Sequence, residues 1–182
     1  MKEKIKIAAI AGSLRRDSYN NALIRAAIEL KPENMEIEIL DISGIPVYND
    51  DERIKDIPES VKIISGKVSS ADGLLIATPE YNYSIPGILK NAIDWVSKMP
   101  DAPFNEKATA IMGASPGMLG TVRAQMHLRQ ISIALNLNLL NKPEVYVTFA
   151  NEKFDTNGKL IHEPTKDIIK KLLIALGDKI NK

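Results

Sequence analysis

Two almost wholly apolar runs constrain the fold of this chain most strongly. Ile5–Ala11 and Gly73–Thr78 are each followed by a polar stretch and then by a segment of helical period. A strand of a parallel sheet has such a composition when helices cover both of its faces. The two runs therefore predict an α/β fold in which both strands lie inside a parallel sheet.

Further apolar runs alternate with segments of helical period along the whole chain. The predicted strands are Ile5–Ala11, Met35–Leu40, Gly73–Thr78, Ala108–Gly113 and Leu137–Phe149. The predicted helices are Asn21–Leu30, Pro58–Val68, Pro86–Lys98, Thr121–Leu135 and Thr165–Ile180. Alternation of this kind indicates a doubly wound α/β fold. We expect a flavodoxin-like three-layer sandwich, with a five-stranded parallel sheet of order 2-1-3-4-5 and helices on both faces.

Composition and loop patterns indicate a single domain spanning residues 1–182. Hydrophobic residues make up 45% of the chain, which is enough to build one well-buried core. No repeat or domain linker interrupts the pattern. Ser43–Pro58 and Asn151–Pro164 are rich in turn-forming residues, and we expect them to be surface loops.

Composition also excludes several classes of function. The 24 basic residues nearly balance the 23 acidic ones, so no strong field attracts nucleic acid or an anionic membrane. There is no cysteine and there are only two histidines, which argues against thiolate chemistry and against a metal site. The start of the chain lacks a signal-peptide pattern, and no segment approaches the roughly 18 apolar residues of a membrane span. We expect a cytoplasmic protein that binds no nucleic acid, no membrane and no metal.

The polar stretches after the first and third strands should meet at one edge of the sheet. Gly12–Asn20 follows the first strand, and Pro79–Gly87 follows the third. Open α/β sheets bind their ligands at the carboxyl ends of neighbouring strands. We therefore expect these two stretches to form two walls of one nucleotide-sized pocket.

Four residues of the first stretch are candidates for binding a phosphate: Ser13, Arg15, Ser18 and Asn20. They surround a predicted helix start, where unpaired N–H groups and the helix dipole favour an anion. The guanidinium of Arg15 would add charge-assisted hydrogen bonds. The alternative is that Ser18 only caps the helix while the arginines are solvated.

Glycine spacing excludes two better-known phosphate loops. Gly12 is the only glycine before Gly44, so neither G-x-x-x-x-G-K-[ST] nor G-x-G-x-x-G is present. Asp41 ends the second strand, where a ribose-binding acid would stand in a Rossmann fold. Asp41 lies too far along the chain from Gly12 for that role, which favours a carboxylate that caps the strand end or is exposed to solvent there.

The second stretch places two aromatic rings, Tyr81 and Tyr83, beside the end of the third strand. Main-chain groups of such a loop can be exposed to a planar heteroaromatic ring. The alternative is that both tyrosines pack on neighbouring helices. Together the two stretches suit a mononucleotide with a flat ring, and FMN is such a ligand.

A third loop, Gly113–Gly117, formally matches the nucleophile elbow G-x-S-x-G of serine hydrolases. Asp155 and His162 even follow Ser115 in the order of a catalytic triad. The elbow needs the backbone N–H of the residue after the serine, and Pro116 has none. We therefore expect this loop to close a third side of the pocket and to carry no nucleophile.

The paired loops resemble those of the NADPH-dependent FMN reductases, a family that includes bacterial quinone, chromate and azo reductases. The most specific matches are Gly12–Asn20, Pro79–Gly87 and Leu89–Trp95, and supporting matches extend over nearly the whole chain. The resemblance implies a flavodoxin-like fold, noncovalent FMN, and NADPH or NADH as electron donor. It also implies a homodimer or homotetramer, although Met126 stands where close relatives commonly carry an aromatic residue at a subunit contact.

The resemblance also implies which residues bind the flavin. It places the phosphate on Ser13, Arg15, Ser18 and Asn20, and the ring system along Pro79, Glu80, Tyr81, Asn82 and Tyr83. It brings Ser115, Pro116 and Gly117 to the ring from the other strand end. It implies no catalytic side chain, because the flavin carries the chemistry. NAD(P)H would reduce the flavin, and a quinone, an azo compound, chromate or free flavin would then take the electrons.

A flavodoxin-type electron carrier without direct NAD(P)H turnover remains the alternative, because one fold hosts both roles. The balanced charge argues against an acidic carrier that docks on basic partners. A response-regulator receiver has less support. Its first strand ends in an acidic cluster that binds Mg²⁺, whereas this strand ends in Gly12 and Ser13.

Overall fold

The computed structural model describes residues 4–182, which form one parallel sheet flanked by helices. The strands are β1 (Ile5–Ala11), β2 (Met35–Leu40), β3 (Gly73–Ala77), β4 (Ala108–Ala114), β5 (Asn138–Leu139) and β6 (Val145–Val147). The helices are α1 (Tyr19–Leu30), α2 (Asp50–Lys55), α3 (Glu59–Ser70), α4 (Gly87–Val96), α5 (Val122–Ala134) and α6 (Glu163–Ile180). Within residues 4–182, no helix is both long enough and apolar enough to cross a membrane.

The order of the sheet confirms the prediction, with one addition at its edge. The strands follow the order β2-β1-β3-β4-β5, and a sixth strand, β6, also pairs with β4. A single fifth strand over Leu137–Phe149 was therefore the wrong expectation. β5 pairs with the start of β4 and β6 with its end. Pro143 lies between them and has no N–H to donate to a ladder, which helps to divide the edge strand in two.

Helices cover both faces of the sheet, as predicted. Along β1, Ile7 and Ala9 pack into a cluster with α1 and α6, while Ala8 and Ile10 pack into a cluster with α3, α4 and α5. Successive side chains of a strand point to opposite faces, so a strand covered on both sides must be apolar throughout. This is why the apolar runs were informative about the fold.

The segment Ser43–Pro58 is more ordered than the expected surface loop. It contains α2, whose N-cap is Asn49, with a side chain that accepts a hydrogen bond from the Asp51 N–H at 3.0 Å. The carbonyl of Pro46 accepts hydrogen bonds from the Asn91 amide and the Trp95 indole, each at 2.8 Å. The segment is therefore attached to α4, through contacts that its own composition does not reveal.

Candidate functional site

Three loops begin side by side at the carboxyl edge of the sheet. The Gly12 N–H donates to the Ala77 carbonyl at 2.8 Å, and the Thr78 N–H donates to the Met112 carbonyl at 3.0 Å. The loops after β1, β3 and β4 enclose a cleft of about 470 Å³, a size typical of small-molecule sites. The lining residues are Ser13, Arg15, Ser18, Tyr19, Asn20, Pro79, Glu80, Tyr81, Ala114, Ser115 and Pro116.

The structure thus brings together most of the residues that the sequence suggested. Of the candidates, Asn82, Tyr83 and Gly117 do not line the cleft, although each adjoins a segment that does. Tyr19 and Ala114 also line the cleft, although the sequence did not indicate them as candidates. Their exposure to the cleft follows from where α1 begins and β4 ends, and neither residue type points to a ligand by itself.

Close packing beneath the cleft requires glycine at position 113. A Cβ at this position would lie 2.0 Å from the Thr121 hydroxyl and 2.5 Å from the Thr78 carbonyl oxygen. The Thr78 carbonyl is backbone at the end of β3, so it cannot move without moving the strand. Gly113 therefore lets the start of α5 approach the ends of β3 and β4, and this contact brings the loops together.

The first loop is held in place by the cap of α1. Ser18 has extended backbone angles, and its hydroxyl accepts hydrogen bonds from the Asn20 N–H at 3.2 Å and the Asn21 N–H at 3.4 Å. The Asn21 amide donates in turn to the Ser13 carbonyl at 3.2 Å. Ser18 therefore caps the helix, as expected from the alternative in which this is its only role. It also lines the cleft, so the two interpretations are compatible.

The same loop offers unpaired backbone donors. Among the described residues, the N–H groups of Ser13, Leu14, Arg16 and Asp17 have no hydrogen-bond partner. Ser13 is buried, and a buried N–H group is normally paired in a folded protein. Unpaired donors just before the first turn of a helix fit an anionic group such as a phosphate.

The side chain of Arg15 folds back across this loop. Its terminal Nη2 donates to the carbonyl of Asp17, and its guanidinium lies 5.8 Å from the ring centroid of Tyr19. The Tyr19 ring packs on Phe154 with centroids 5.5 Å apart. Arg15 is thus a cation at the mouth of the cleft, with Tyr19 beneath it.

Both polar atoms of the Asn20 side chain form hydrogen bonds with the backbone of β4. Its Oδ1 accepts from the Ala114 N–H at 2.9 Å, and its Nδ2 donates to the Ala114 carbonyl at 3.0 Å. The residue is buried. The Asn20 amide therefore fastens the start of α1 to the end of β4, and a contact with phosphate remains a prediction for this side chain.

The second loop is a tight hairpin that presents two tyrosines. Tyr81 and Ser84 exchange two backbone hydrogen bonds, both 3.0 Å long. Asn82 and Tyr83 have φ values of 50° and 66°, as the two central residues of a type I′ turn do. Tyr81 and Tyr83 are 50% and 65% exposed, so neither is packed into the core.

Glu80 connects this hairpin to α5. Its carboxylate accepts hydrogen bonds from the Arg123 Nε at 2.6 Å, the Arg123 N–H at 3.0 Å and the Ala124 N–H at 3.3 Å. The N-cap of α5, Thr121, makes no side-chain capping bond, so Glu80 satisfies these orphan donors instead. The guanidinium of Arg123 also lies 3.6 Å from the ring centroid of Tyr83.

The third loop does not assemble a hydrolase site. The Ser115 hydroxyl accepts from the Gly117 N–H at 3.2 Å, within its own loop. The Nδ1 atom of His162 pairs with the Thr165 hydroxyl at 2.8 Å, at the start of α6. The Ser115 N–H donates to the Val147 carbonyl and the Ser115 carbonyl accepts from the Ala150 N–H, and these bonds fix the loop as a third wall of the cleft.

Comparison with known proteins identifies the family of this chain. Residues 5–152 match the family model for the NADPH-dependent FMN reductases. An NAD(P)H-dependent FMN reductase of Pseudomonas aeruginosa is 49% identical over 176 residues, covering 97% of this chain and 95% of the relative. A 2-hydroxy-1,4-benzoquinone reductase of a Burkholderia species is 42% identical over 163 residues, covering 89% of this chain and 88% of the relative.

A solved structure shows the same fold over the same length. It is FerB, an NAD(P)H:(acceptor) oxidoreductase of Paracoccus denitrificans, with 33% identity and a TM-score of 0.89. The match covers 97% of both chains. The present chain belongs to the NADPH-dependent FMN reductase family and is an FMN-dependent NAD(P)H oxidoreductase, as the resemblance of its loops predicted.

Proposed function

We propose that the cleft holds FMN as a resident cofactor, with the phosphate in the Gly12–Asn20 loop and the ring along Pro79–Tyr83. The main support for this proposal is the set of unpaired N–H groups in the first loop. They fit the phosphate, and the exposed Tyr81 of the second loop lines the cleft, where a flat ring can lie beside it. The remaining candidates, Ser115, Pro116 and Gly117, would approach the ring from the third wall.

The residues of the cleft bind and position the reacting molecules. FMN bound in the cleft would supply the redox chemistry that links oxidation of NAD(P)H to two-electron reduction of an acceptor. Ser13 and the N–H groups of its loop bind the phosphate, and the Asn20–Ala114 pair keeps this loop against the sheet. Tyr81 lies across the cleft from the first loop, its hydroxyl 3.5 Å from that of Ser13.

We propose quinones as the acceptor, because relatives of nearly full length are named quinone reductases. One NAD(P)H and one proton would convert one quinone to its hydroquinone, leaving NAD(P)⁺. The test measures steady-state turnover with a benzoquinone, an azo dye, chromate and free FMN. We expect kcat/KM for the quinone to be at least about tenfold higher than for the other acceptors, a difference of about 1.4 kcal/mol. Absence of quinone reduction alongside active NAD(P)H oxidation would contradict this assignment.

Glu80→Gln tests whether this carboxylate acts as an acid or base. All three of its hydrogen bonds are to N–H donors, so we expect it to hold the hairpin and to transfer no proton. Loss of the charged bond to Arg123 should lower the free energy of unfolding by about 1–2 kcal/mol. The pH dependence of flavin reduction, measured by stopped-flow absorbance, should be unchanged. Disappearance of one limb of the wild-type pH profile would instead show proton transfer by Glu80.

We also propose that the protein is a cytoplasmic homodimer or homotetramer built from one domain over residues 1–182. The apolar residue Ile133 on α5 is 80% exposed and supports contact between copies, whereas Met126 on the same helix replaces the aromatic residue that relatives commonly carry at a subunit contact. The cytoplasm supplies the reduced pyridine nucleotide that the proposed reaction consumes. Light scattering after size-exclusion chromatography measures the assembly directly.

A further inference from the structure

Arg123 is held rigidly at the rim of the cleft. Its Nε atom donates a hydrogen bond to Glu80 at 2.6 Å, and its guanidinium carbon lies over the Tyr83 ring, 3.6 Å from the centroid. Tyr83 is itself fixed in a two-residue turn. An arginine held from two sides loses little side-chain entropy when it binds a ligand.

The terminal nitrogens of this guanidinium remain available. Within residues 4–182, neither Nη1 nor Nη2 of Arg123 has a hydrogen-bond partner, and its side chain is 38% exposed. The planar fork of arginine matches the oxygens of a phosphate and can bind two of them together. Arg123 therefore presents a preorganised pair of donors to solvent, beside Glu80, which lines the cleft.

Glu80 does not fully neutralise this cation. The carboxylate also accepts hydrogen bonds from the N–H groups of Arg123 and Ala124 at the positive end of the α5 dipole. Part of the negative charge of Glu80 is therefore compensated by the helix and not by the Arg123 guanidinium. Arg15 and Arg16 are exposed on the opposite loop, so cations stand on two sides of the opening.

The position of Arg123 also separates it from the phosphate of the flavin. FMN carries one phosphate, and the unpaired N–H groups that fit it belong to the loop after β1. Arg123 lies in the first turn of α5 and contacts the hairpin after β3, on the other wall of the cleft. A second anionic group is therefore the natural partner of Arg123, and the electron donor carries phosphate groups.

We propose that Arg123, fixed by Tyr83 and Glu80, binds a phosphate group of the pyridine nucleotide during flavin reduction. This inference rests on the proposed function of the cleft. It makes Arg123 a determinant of donor specificity, acting on binding of NAD(P)H and not on hydride transfer itself.

The test compares three electron donors for the FMN-loaded wild type and for Arg123→Gln. The donors are NADPH, NADH and 1-benzyl-1,4-dihydronicotinamide, which has the reactive ring but no phosphate. We expect kcat/KM for NADPH to fall about tenfold or more, through KM, as loss of a charged hydrogen bond predicts. The rate with the benzyl compound should stay within about twofold of wild type.

The NADH measurement distinguishes the two sources of phosphate. A loss confined to NADPH assigns the contact to the 2′-phosphate, whereas equal losses for NADPH and NADH assign it to the pyrophosphate. Equal losses for all three donors would overturn the proposal and show a structural role for Arg123. An unchanged NADPH KM would also overturn it.

Two further variants control this experiment. Arg123→Lys keeps the charge without the planar fork, and we expect it to recover part of the NADPH affinity. Arg25→Gln removes an exposed guanidinium on α1 that lies outside the cleft, and should change none of the three rates. Wild-type protein that binds no FMN, or that the benzyl compound cannot reduce, would instead reject the proposed function of the cleft.

Discussion

Ser18→Asp is expected to raise the Kd for FMN at least about 100-fold while the protein without flavin stays as stable as wild type. Aspartate caps a helix as well as serine does, so the bonds to the Asn20 and Asn21 N–H groups can be kept. The new carboxylate would stand in the cleft where the phosphate is proposed to bind. Two charges about 4 Å apart repel by about 4 kcal/mol near a protein surface. Titration of FMN fluorescence measures the Kd, and urea unfolding measures the stability.

Riboflavin provides the control for this variant, because it has the same ring and no phosphate. The preference for FMN over riboflavin should be lost in Ser18→Asp, with riboflavin affinity nearly unchanged. Ser18→Ala, by contrast, should cost about 1 kcal/mol of stability through loss of the cap and affect FMN far less. If Ser18→Asp bound FMN as well as wild type, the phosphate could not lie in this loop.

Gly113→Ala is expected to lower the free energy of unfolding by about 3 kcal/mol or more. The added methyl group would stand 2.5 Å from the Thr78 carbonyl and 2.0 Å from the Thr121 hydroxyl. Overpacking typically costs 1–3 kcal/mol, and here backbone atoms prevent relaxation. Trp95 is the one tryptophan of the chain and is 1% exposed, so its fluorescence reports unfolding. FMN affinity should also fall, since three walls of the cleft meet at this contact.

Gly66→Ala is the matched control. Gly66 lies on the exposed side of α3, and a Cβ there meets no atom within 4 Å. Alanine at this position should raise the free energy of unfolding by about 0.5–1 kcal/mol, because it favours the helix. Equal stability of Gly113→Ala and wild type would show that β3, β4 and α5 do not meet as closely as described.

The fold was predictable because its main signals are local. Ile5–Ala11 and Gly73–Thr78 are apolar on both faces, and the polar breaks after them mark the edge of the sheet where the cleft lies. The divided edge strand also has a local signal, because the polar residues and Pro143 of 141–144 interrupt Leu137–Phe149. The two-residue length of β5 has none, since it depends on pairing with β4. α2 was missed because six residues rich in charge resemble a loop.

Residue types identified the cleft but not the task of each side chain. Asn20 bonds to Ala114, which is 94 positions away, and Glu80 bonds to Arg123, which is 43 positions away. No local pattern indicates such pairings, because they arise from the topology of the sheet. The sequence therefore suggested Glu80 as a residue of the cleft without showing that its carboxylate bonds to α5.

Anaerobic titration of the flavin-loaded protein tests the central claim most directly. One equivalent of NADPH or NADH per bound FMN should bleach the flavin absorbance, and one equivalent of benzoquinone should restore it. This stoichiometry follows from transfer of a hydride in and two electrons out. Protein that binds no FMN would contradict the account. So would bound flavin that dithionite bleaches but NADPH and NADH do not, which is the behaviour of an electron carrier.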